Sequence, residues 1–387
     1  MTRITADWLD TPATQAVFAA LQGGGAQVLF VGGCVRNALM GVAVSDIDIS
    51  CDLEPEMVMQ RASNAGIKAV PTGVEHGTVT LVSDGLAHEV TTFRKDIATD
   101  GRRAVVAFSK DINDDAARRD FTMNALYAHA DGTVIDPLGG MDDLKARHVR
   151  FIGAAQDRIK EDYLRSLRYF RFHAWYGDVD AGFDPEALAA IADNLDGLEN
   201  LSRERIGAEM LKLLSAPDPA PSLAAMLSTG VLGRILPGAN DRALAPLIHI
   251  ESQVGAGVDT LRRLAALGGD ELAGLLRLSK AQTKRLARLR DTASGVMPAA
   301  ELGYRFKQEE ALNILMLRCA LSEKLWYKTA QQAILDGTKA HFPVRAKDLM
   351  PGLTGPELGA RLAALEAGWI ASGFTKTKAE LLASPES

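Results

Sequence analysis

The sequence predicts an α+β head followed by an all-α remainder, and three observations predict it. Strand-like runs are confined to roughly the first 130 residues, where they are interleaved with helix-like pieces. Beyond about Gln156 apolar residues recur at helical spacing, and almost no alternating segment follows Phe151. Between the two regimes lies "DGTVIDPLGGMDDLKARHVRF", whose Pro137-Leu138-Gly139-Gly140 breaker reads as a hairpin or turn-rich joint. In the head the expected order is helix Thr11–Gln22, strand Val28–Val31, helix Val35–Met40 and strand Asp46–Cys51. Helix Pro55–Ala65, strands Gly77–Val82 and His88–Thr92, helix Asp111–Arg118 and strand Met123–His129 follow. In the remainder, Arg158–Trp175, Asp184–Asn194, Ser202–Leu214, Pro221–Thr229, Asp259–Leu267, Lys280–Thr292 and Gln308–Ser322 repeat their apolar residues at 3.6 spacing and read as amphipathic helices.

Composition narrows the function. The chain has 387 residues, 47% of them hydrophobic, enough for two or more cores. No uncharged apolar run reaches the roughly 18 residues of a membrane-spanning helix. The segment "MTRITADWLDTPATQ" has no basic stretch leading into an apolar one, so no secretory signal is expected. Cys34, Cys51 and Cys319 are widely spaced, which points to reduced thiols in a cytoplasm rather than to disulfides or a zinc site. The seven histidines form no metal pattern; His76, His88, His129, His148 and His173 read as packing or surface residues. A net charge of −6 argues only weakly against a nucleic-acid partner, because a groove can be basic on an acidic protein.

The chemistry-bearing stretch is "VLFVGGCVRNALMGVAVSDIDIS". A strand over "SDIDIS" turns Asp46 and Asp48 to one face and Ile47 and Ile49 to the other. Two carboxylates aimed the same way repel unless a cation lies between them, and hard oxygen pairs suit Mg²⁺ bridging phosphates. Gly32-Gly33 between a strand and a helix exposes backbone N–H groups at the positive helix end, a cradle for phosphate. Arg36, one turn on, can add a charge-assisted contact to the same anion. A phosphate cradle beside a metal site describes nucleotidyl transfer.

This stretch resembles the signature of the polymerase-β-like nucleotidyltransferases, in the class that holds CCA-adding enzymes and poly(A) polymerases. "EVTTFRKDIATDGRRAVVAF", "RRDFTMNALY", "DPLGGMDDL" and "EDYLRSLRYFRF" match that class in the same order, from Phe30 to Phe172 in all. Asn37 departs from it, standing where the family usually has aspartate; its place suggests a loop-orienting role rather than a metal ligand. The resemblance implies a polymerase-β-like head at 1–140, a helical neck at 141–215 that selects the base, a body at 216–300 and a tail at 301–387, the last two binding RNA.

It also implies site roles. Arg119 and Asp120 would face the nucleotide, one toward the triphosphate and the other toward the ribose. Asp162, Arg165, Arg168 and Arg171 recur every third residue along one slowly drifting helical stripe. Arginine only donates and ionised aspartate only accepts, so an Asp162–Arg165 pair fits the acceptor-plus-amine edge shared by cytosine and adenine and rejects uracil and guanine. Glu89 is either a third catalytic carboxylate or a surface strand residue. The polar segment with Arg102 and Arg103 reads as a mobile loop, which in the family helps the switch from C to A addition. Lys280, Lys284, Arg285 and Arg288 lie either on a solvated helix face or on a phosphate-tracking surface. The resulting expectation is a template-independent tRNA nucleotidyltransferase using CTP, ATP and Mg²⁺. Enzymes adding only CC or only A share these motifs, and a poly(A) polymerase or a non-catalytic RNA-binding relative are the further alternatives.

Overall fold

The computed structural model describes residues 2–99, 104–350 and 352–383; Arg102 and Arg103 lie outside them. Two compact units divide the chain, Met1–Pro237 and Gly238–Ser387. The boundary falls inside the segment 216–300 expected as one body.

The first unit begins with a mixed sheet. Strands β1 (Val28–Val31), β2 (Ile47–Cys51), β3 (Lys68–Gly73), β4 (Thr78–Ser83) and β5 (Leu86–Thr92) belong to it, and β6 (Arg94–Thr99) and β7 (Ala104–Phe108) form a separate hairpin. With β8 (Tyr127–Ala128) and β9 (Val134–Ile135) the main sheet has the order β3-β4-β5-β2-β1-β8-β9. All its pairings are antiparallel except β2 with β5, which run parallel. Strand β1 is apolar throughout because both its edges and both its faces are covered; all four residues are buried. Helix α1 (Pro12–Leu21) starts on the Thr11 side-chain cap with proline at its first turn, and its Phe18 packs on Phe30 at a ring-centroid distance of 4.3 Å. Helices α2 (Gly33–Leu39), α3 (Pro55–Asn64) and α4 (Ile112–Ala117) complete the head.

The rest of the first unit is helical: α5 (Gly140–Lys145), α6 (Ala155–Glu161), α7 (Leu164–Tyr176), α8 (Pro185–Asp193) and α9 (Arg203–Leu214) span the segment expected as the neck, and α10 (Ala220–Ser228) and α11 (Val231–Ile235) follow it. The "DPLGG" joint is a helix start: Asp136 accepts from the Gly140 and Met141 amides at 2.8 and 2.9 Å. A Cβ on Gly140 would lie 2.2 Å from the Thr122 carbonyl oxygen, so the joint seats α5 against the segment that follows "RRD". Helix α7 packs on α9 and α10, and Phe121, Phe151, Tyr169 and Phe172 form an aromatic seam between head and neck.

Three expected elements differ. "FRKDIATDGRRAVVAF", expected as a mobile loop, supplies the hairpin β6–β7, paired from Arg94 opposite Phe108 to Thr99 opposite Ala104. The expected strand Met123–His129 shrinks to Tyr127–Ala128 because Thr122–Asn124 forms a 3₁₀ turn. The expected helix Arg158–Trp175 breaks at Asp162-Tyr163, where Asp162 adopts an extended backbone (φ −155°, ψ 105°).

The second unit is all helical among its described residues: α12 (Leu244–Val254), α13 (Thr260–Ala266), α14 (Leu272–Leu275), α15 (Lys280–Ser294), α16 (Ala299–Leu321), α17 (Lys328–Lys339), α18 (Gly355–Ala371) and α19 (Lys378–Leu382). Helix α15 opens with a Ser279–Gln282 capping box, and α16 kinks at Lys307. Among the described residues no helix is long and apolar enough to cross a membrane, and the three cysteines are free and buried.

Candidate active site

The turn from β1 into α2 places the glycine pair. Gly32 has φ +68°, ψ −117°, a backbone that side-chain-bearing residues rarely adopt, and its amide donates to the Leu126 carbonyl at 3.0 Å. Around Gly33 two charges converge: a Cβ built there would lie 3.8 Å from Arg36 Nη2 and 3.9 Å from Asp48 Oδ2. Arg119 Nη1 lies on the other side of the turn, 3.3 Å from a Cβ built on Gly32. An anion at this turn would therefore meet backbone N–H groups, a helix start and Arg119.

The parallel pairing of β2 with β5 sets Asp48 directly beside Glu89. Alternation along both strands directs these two carboxylates to the same face. Burial, then repulsion from Glu89 and Asp46, pushes the Asp48 carboxyl up to about 6, against attraction from Arg119 and Arg36. Asp46 precedes the strand, is exposed, and accepts from Ser45 Oγ at 2.9 Å. Among the described residues no group of three or more His, Cys, Asp or Glu side chains is placed to hold a metal ion. The donors present are hard oxygens with too little positive charge around Asp48, and a hard divalent cation would relieve that crowding.

The arginines are held by acids that the motif spacing did not disclose. Asp115, fully buried in α4, accepts from Arg118 Nε and Nη2 at 3.0 and 2.9 Å, Arg119 Nη2 at 2.9 Å, Tyr127 Oη at 2.8 Å and Ser50 Oγ at 3.2 Å. Burial opposes its charge, but Arg119 and Arg118 prevail and hold it well below the usual carboxylate range. Glu209 of α9 accepts from Arg171 Nε at 2.5 Å.

Asp120 does not stand free for a ribose. Its carboxylate accepts from Arg168 Nε at 2.7 Å and from Arg168 Nη2, from Asn124 Nδ2 at 3.0 Å, and from the Phe121 amide at 3.0 Å. Burial opposes ionisation there, yet Arg168 and these donors bring its pKa to about 2. Arg36 is likewise internal. It donates to Asn37 Oδ1 at 2.9 and 3.1 Å, Asn124 Oδ1 at 2.7 Å and Tyr176 Oη at 2.8 Å, and stacks 4.0 Å from the Tyr176 ring centroid. Asn37 also donates from Nδ2 to the Ala43 carbonyl at 3.2 Å, a bond that an aspartate could not make. Arg36 thus ties α2 to α7 from beneath the glycine turn.

Asp162 and Arg165 are not paired with each other. Asp162 accepts from the Leu164 amide at 3.1 Å and from Arg205 Nη2 at 2.6 Å. Arg165 pairs with Glu161 and donates to the carbonyls of Arg158 and Arg118, each at 3.0 Å. In the second unit, Arg285 and Arg288 are drawn into ion pairs: Arg285 with Asp259 at 2.5 Å and Glu310 at 3.0 Å, Arg288 with Glu310 at 2.7 Å. Lys280 and Lys284 are exposed on α15.

A mixed sheet carrying a carboxylate strand beside a glycine turn defines a nucleotidyltransferase of the polymerase-β-like class. Residues 28–150 match the family described as "Poly A polymerase head domain", and 182–242 match "Probable RNA and SrmB- binding site of polymerase A". "CCA tRNA nucleotidyltransferase 1, mitochondrial" of Homo sapiens is 33% identical over 377 residues, covering 92% of this chain and 86% of that protein. The "CCA-adding enzyme" of Geobacillus stearothermophilus is 40% identical over 220 residues, 55% of this chain and 52% of that protein. The crystal structure of the Bacillus stearothermophilus CCA-adding enzyme in complex with CTP matches at a TM-score of 0.69 with 28% identity, over 94% of each chain. The chain belongs to the CCA tRNA nucleotidyltransferase family.

Proposed function

We propose that the protein adds C, C and A to the 3′ ends of tRNA from CTP and ATP, releasing pyrophosphate and using no nucleic-acid template. The observation that carries the reading is the placing of Gly33, Asp48 and Arg119 around one turn of the head, in a unit whose neck also presents Asp162 and Arg165. Gly33 and Arg119 receive the triphosphate, with Gly32 making the turn that lets it approach and Arg36 fixing that turn from below. Asp162 and Arg165 read the base; Arg168 and Arg171, anchored on Asp120 and Glu209, keep α7 in place beneath it.

Asp46 and Asp48 would hold Mg²⁺, with Glu89 as a further carboxylate beside Asp48. When bound, the metal lowers the pKa of the attacking 3′-hydroxyl and offsets charge on the triphosphate. Lys280 and Lys284 meet tRNA phosphates, read by shape and backbone rather than by sequence. Buried free thiols suit a cytoplasmic location.

The test uses Mg²⁺, labelled CTP or ATP, and tRNA transcripts lacking three, one or none of their last nucleotides. Two C additions followed by one A, then arrest, is the expected product series. Arrest after two Cs, or addition of A alone, would assign a split activity. A long A ladder on any RNA would assign a poly(A) polymerase, and no incorporation would refute catalysis.

A further inference from the structure

Asp162 is the acceptor half of the proposed base reader, and what holds it is not its expected partner. It lies in the break between α6 and α7, where the chain is extended. One carboxylate oxygen is fixed by the Leu164 amide at 3.1 Å, the other by Arg205 Nη2 at 2.6 Å. Arg205 is placed by the start of α9: its own amide donates to the Ser202 cap at 3.4 Å. The Asp162 and Arg205 side chains are 30% and 39% exposed. An ion pair so open to water contributes at most about 1 kcal/mol to stability, so folding alone is a weak reason for its geometry.

The geometry does have a consequence for recognition. With one oxygen tied to a backbone amide and the other to a guanidinium, turning the carboxylate plane about χ2 would break both bonds. An ionised carboxylate has about four acceptor sites, so the oxygen bound by Arg205 can still take one more N–H. A cytosine or adenine amine supplies that donor, whereas the carbonyl of uracil or guanine would bring a second acceptor against it. If the plane were free to turn, the carboxylate could swing away and the clash would vanish.

We propose that Arg205 is a specificity-determining positioning residue, fixing Asp162 so that it accepts from the exocyclic amine common to cytosine and adenine. This rests on the base-reading role proposed above. Arg205→Ala, Arg205→Lys and Asp162→Ala would be compared with the parent protein on tRNA lacking CCA. The readouts are kcat/KM for CTP and UTP, with thermal melting as a check on folding. Arg205→Ala is expected to raise UTP use relative to CTP about tenfold, with Tm little changed. Arg205→Lys, which keeps the charge without the fork, is expected to fall between the two. Asp162→Ala is expected to lose discrimination at least as fully. An Arg205→Ala protein that rejects UTP as well as the parent, while Asp162→Ala does not, overturns the inference whatever happens to its KM for CTP. If Asp162→Ala also discriminates normally, the base-reading role fails and the inference with it. Absence of incorporation by the parent protein would instead refute the catalytic reading.

Discussion

Each unit of this chain contains a buried network of arginines and acids, and the two networks differ in how completely they are sealed. In the second unit Arg262 and Arg263 share Glu251, with Asn313 accepting a further bond from Arg262; all four residues are at most 4% exposed. In the first unit the acids Asp115, Asp120 and Glu209 are buried, but the guanidiniums they hold keep part of their surface open. Side-chain exposure there is 17% for Arg119, 30% for Arg168 and 13% for Arg171. A sealed network fixes packing. One buried on its acid side and open on its base side fixes a cationic surface and leaves it able to meet an anion. The contrast separates arginines that serve the fold from arginines offered to a ligand, even though both sets are ion-paired.

The sharpest way to break the comparison is to remove the charge that the open surface serves. Asp48→Ala is expected to lower nucleotide incorporation by at least ~10³-fold with the melting temperature retained, because that carboxyl is crowded by Glu89 rather than stabilised by a partner. Measurable turnover near the parent rate would refute its role.

Next in size is a matched pair of deletions. Asp115→Ala and Glu251→Ala each strand two arginines and should each cost about 3–5 kcal/mol in urea unfolding. They should part in steady-state kinetics under conditions where both are folded: KM for CTP rises in Asp115→Ala, because Arg119 loses its seat, and holds in Glu251→Ala. Equal KM values would erase the distinction.

Acid titration sharpens it further. Asp120 is depressed from 3.8 to about 2, so its contribution is fully present above the unfolded value and fades as pH falls through the folded one. That amounts to on the order of 2 kcal/mol lost between about pH 5 and pH 2. Asp120→Asn should flatten that part of the stability curve, as read by denaturant melts at stepped pH; an unchanged slope would show that the carboxylate is not coupled to Arg168.

The smallest effect concerns the surface of α15. Lys280→Ala with Lys284→Ala should reduce the slope of log affinity for tRNA against log salt by about one for each lysine, leaving Tm unchanged. Arg285→Ala should instead lower Tm, since that arginine ties Asp259 to Glu310.

What the sequence disclosed follows from the range of the forces involved. Strand β1, the glycine turn, β2 and most amphipathic helices were legible because local apolar spacing and backbone demands specify them. Hairpin β6–β7 was not, because β6 opens on three charged residues and β7 is a short unbroken apolar run, so neither shows the alternation of a strand. The break at Asp162 has no mark in the sequence either, since neither glycine nor proline stands there. Asp48 and Glu89 were visible as carboxylates on strands, but their adjacency depends on the parallel pairing of β2 with β5. Asp115, Asn124, Tyr176, Arg205 and Glu209 carried no local signal at all. Their partners lie up to 140 residues away, as for Arg36 and Tyr176, and an acid in a helix pattern reads as a solvated one until the fold buries it. Spacing on one helical stripe suggests an Asp162–Arg165 pair, whereas Asp162 is held by Arg205 and Arg165 by Glu161, and Arg168 and Arg171 are held by Asp120 and Glu209.

A crystal structure of the protein with CTP bound would test the central claim most directly. The account predicts the triphosphate against Gly32, Gly33 and Arg119, the cytosine edge on Asp162 and Arg165, and the Glu251–Arg262–Arg263 network unchanged. A nucleotide whose base meets neither Asp162 nor Arg165, or whose phosphates lie away from the β1–α2 turn, would contradict it.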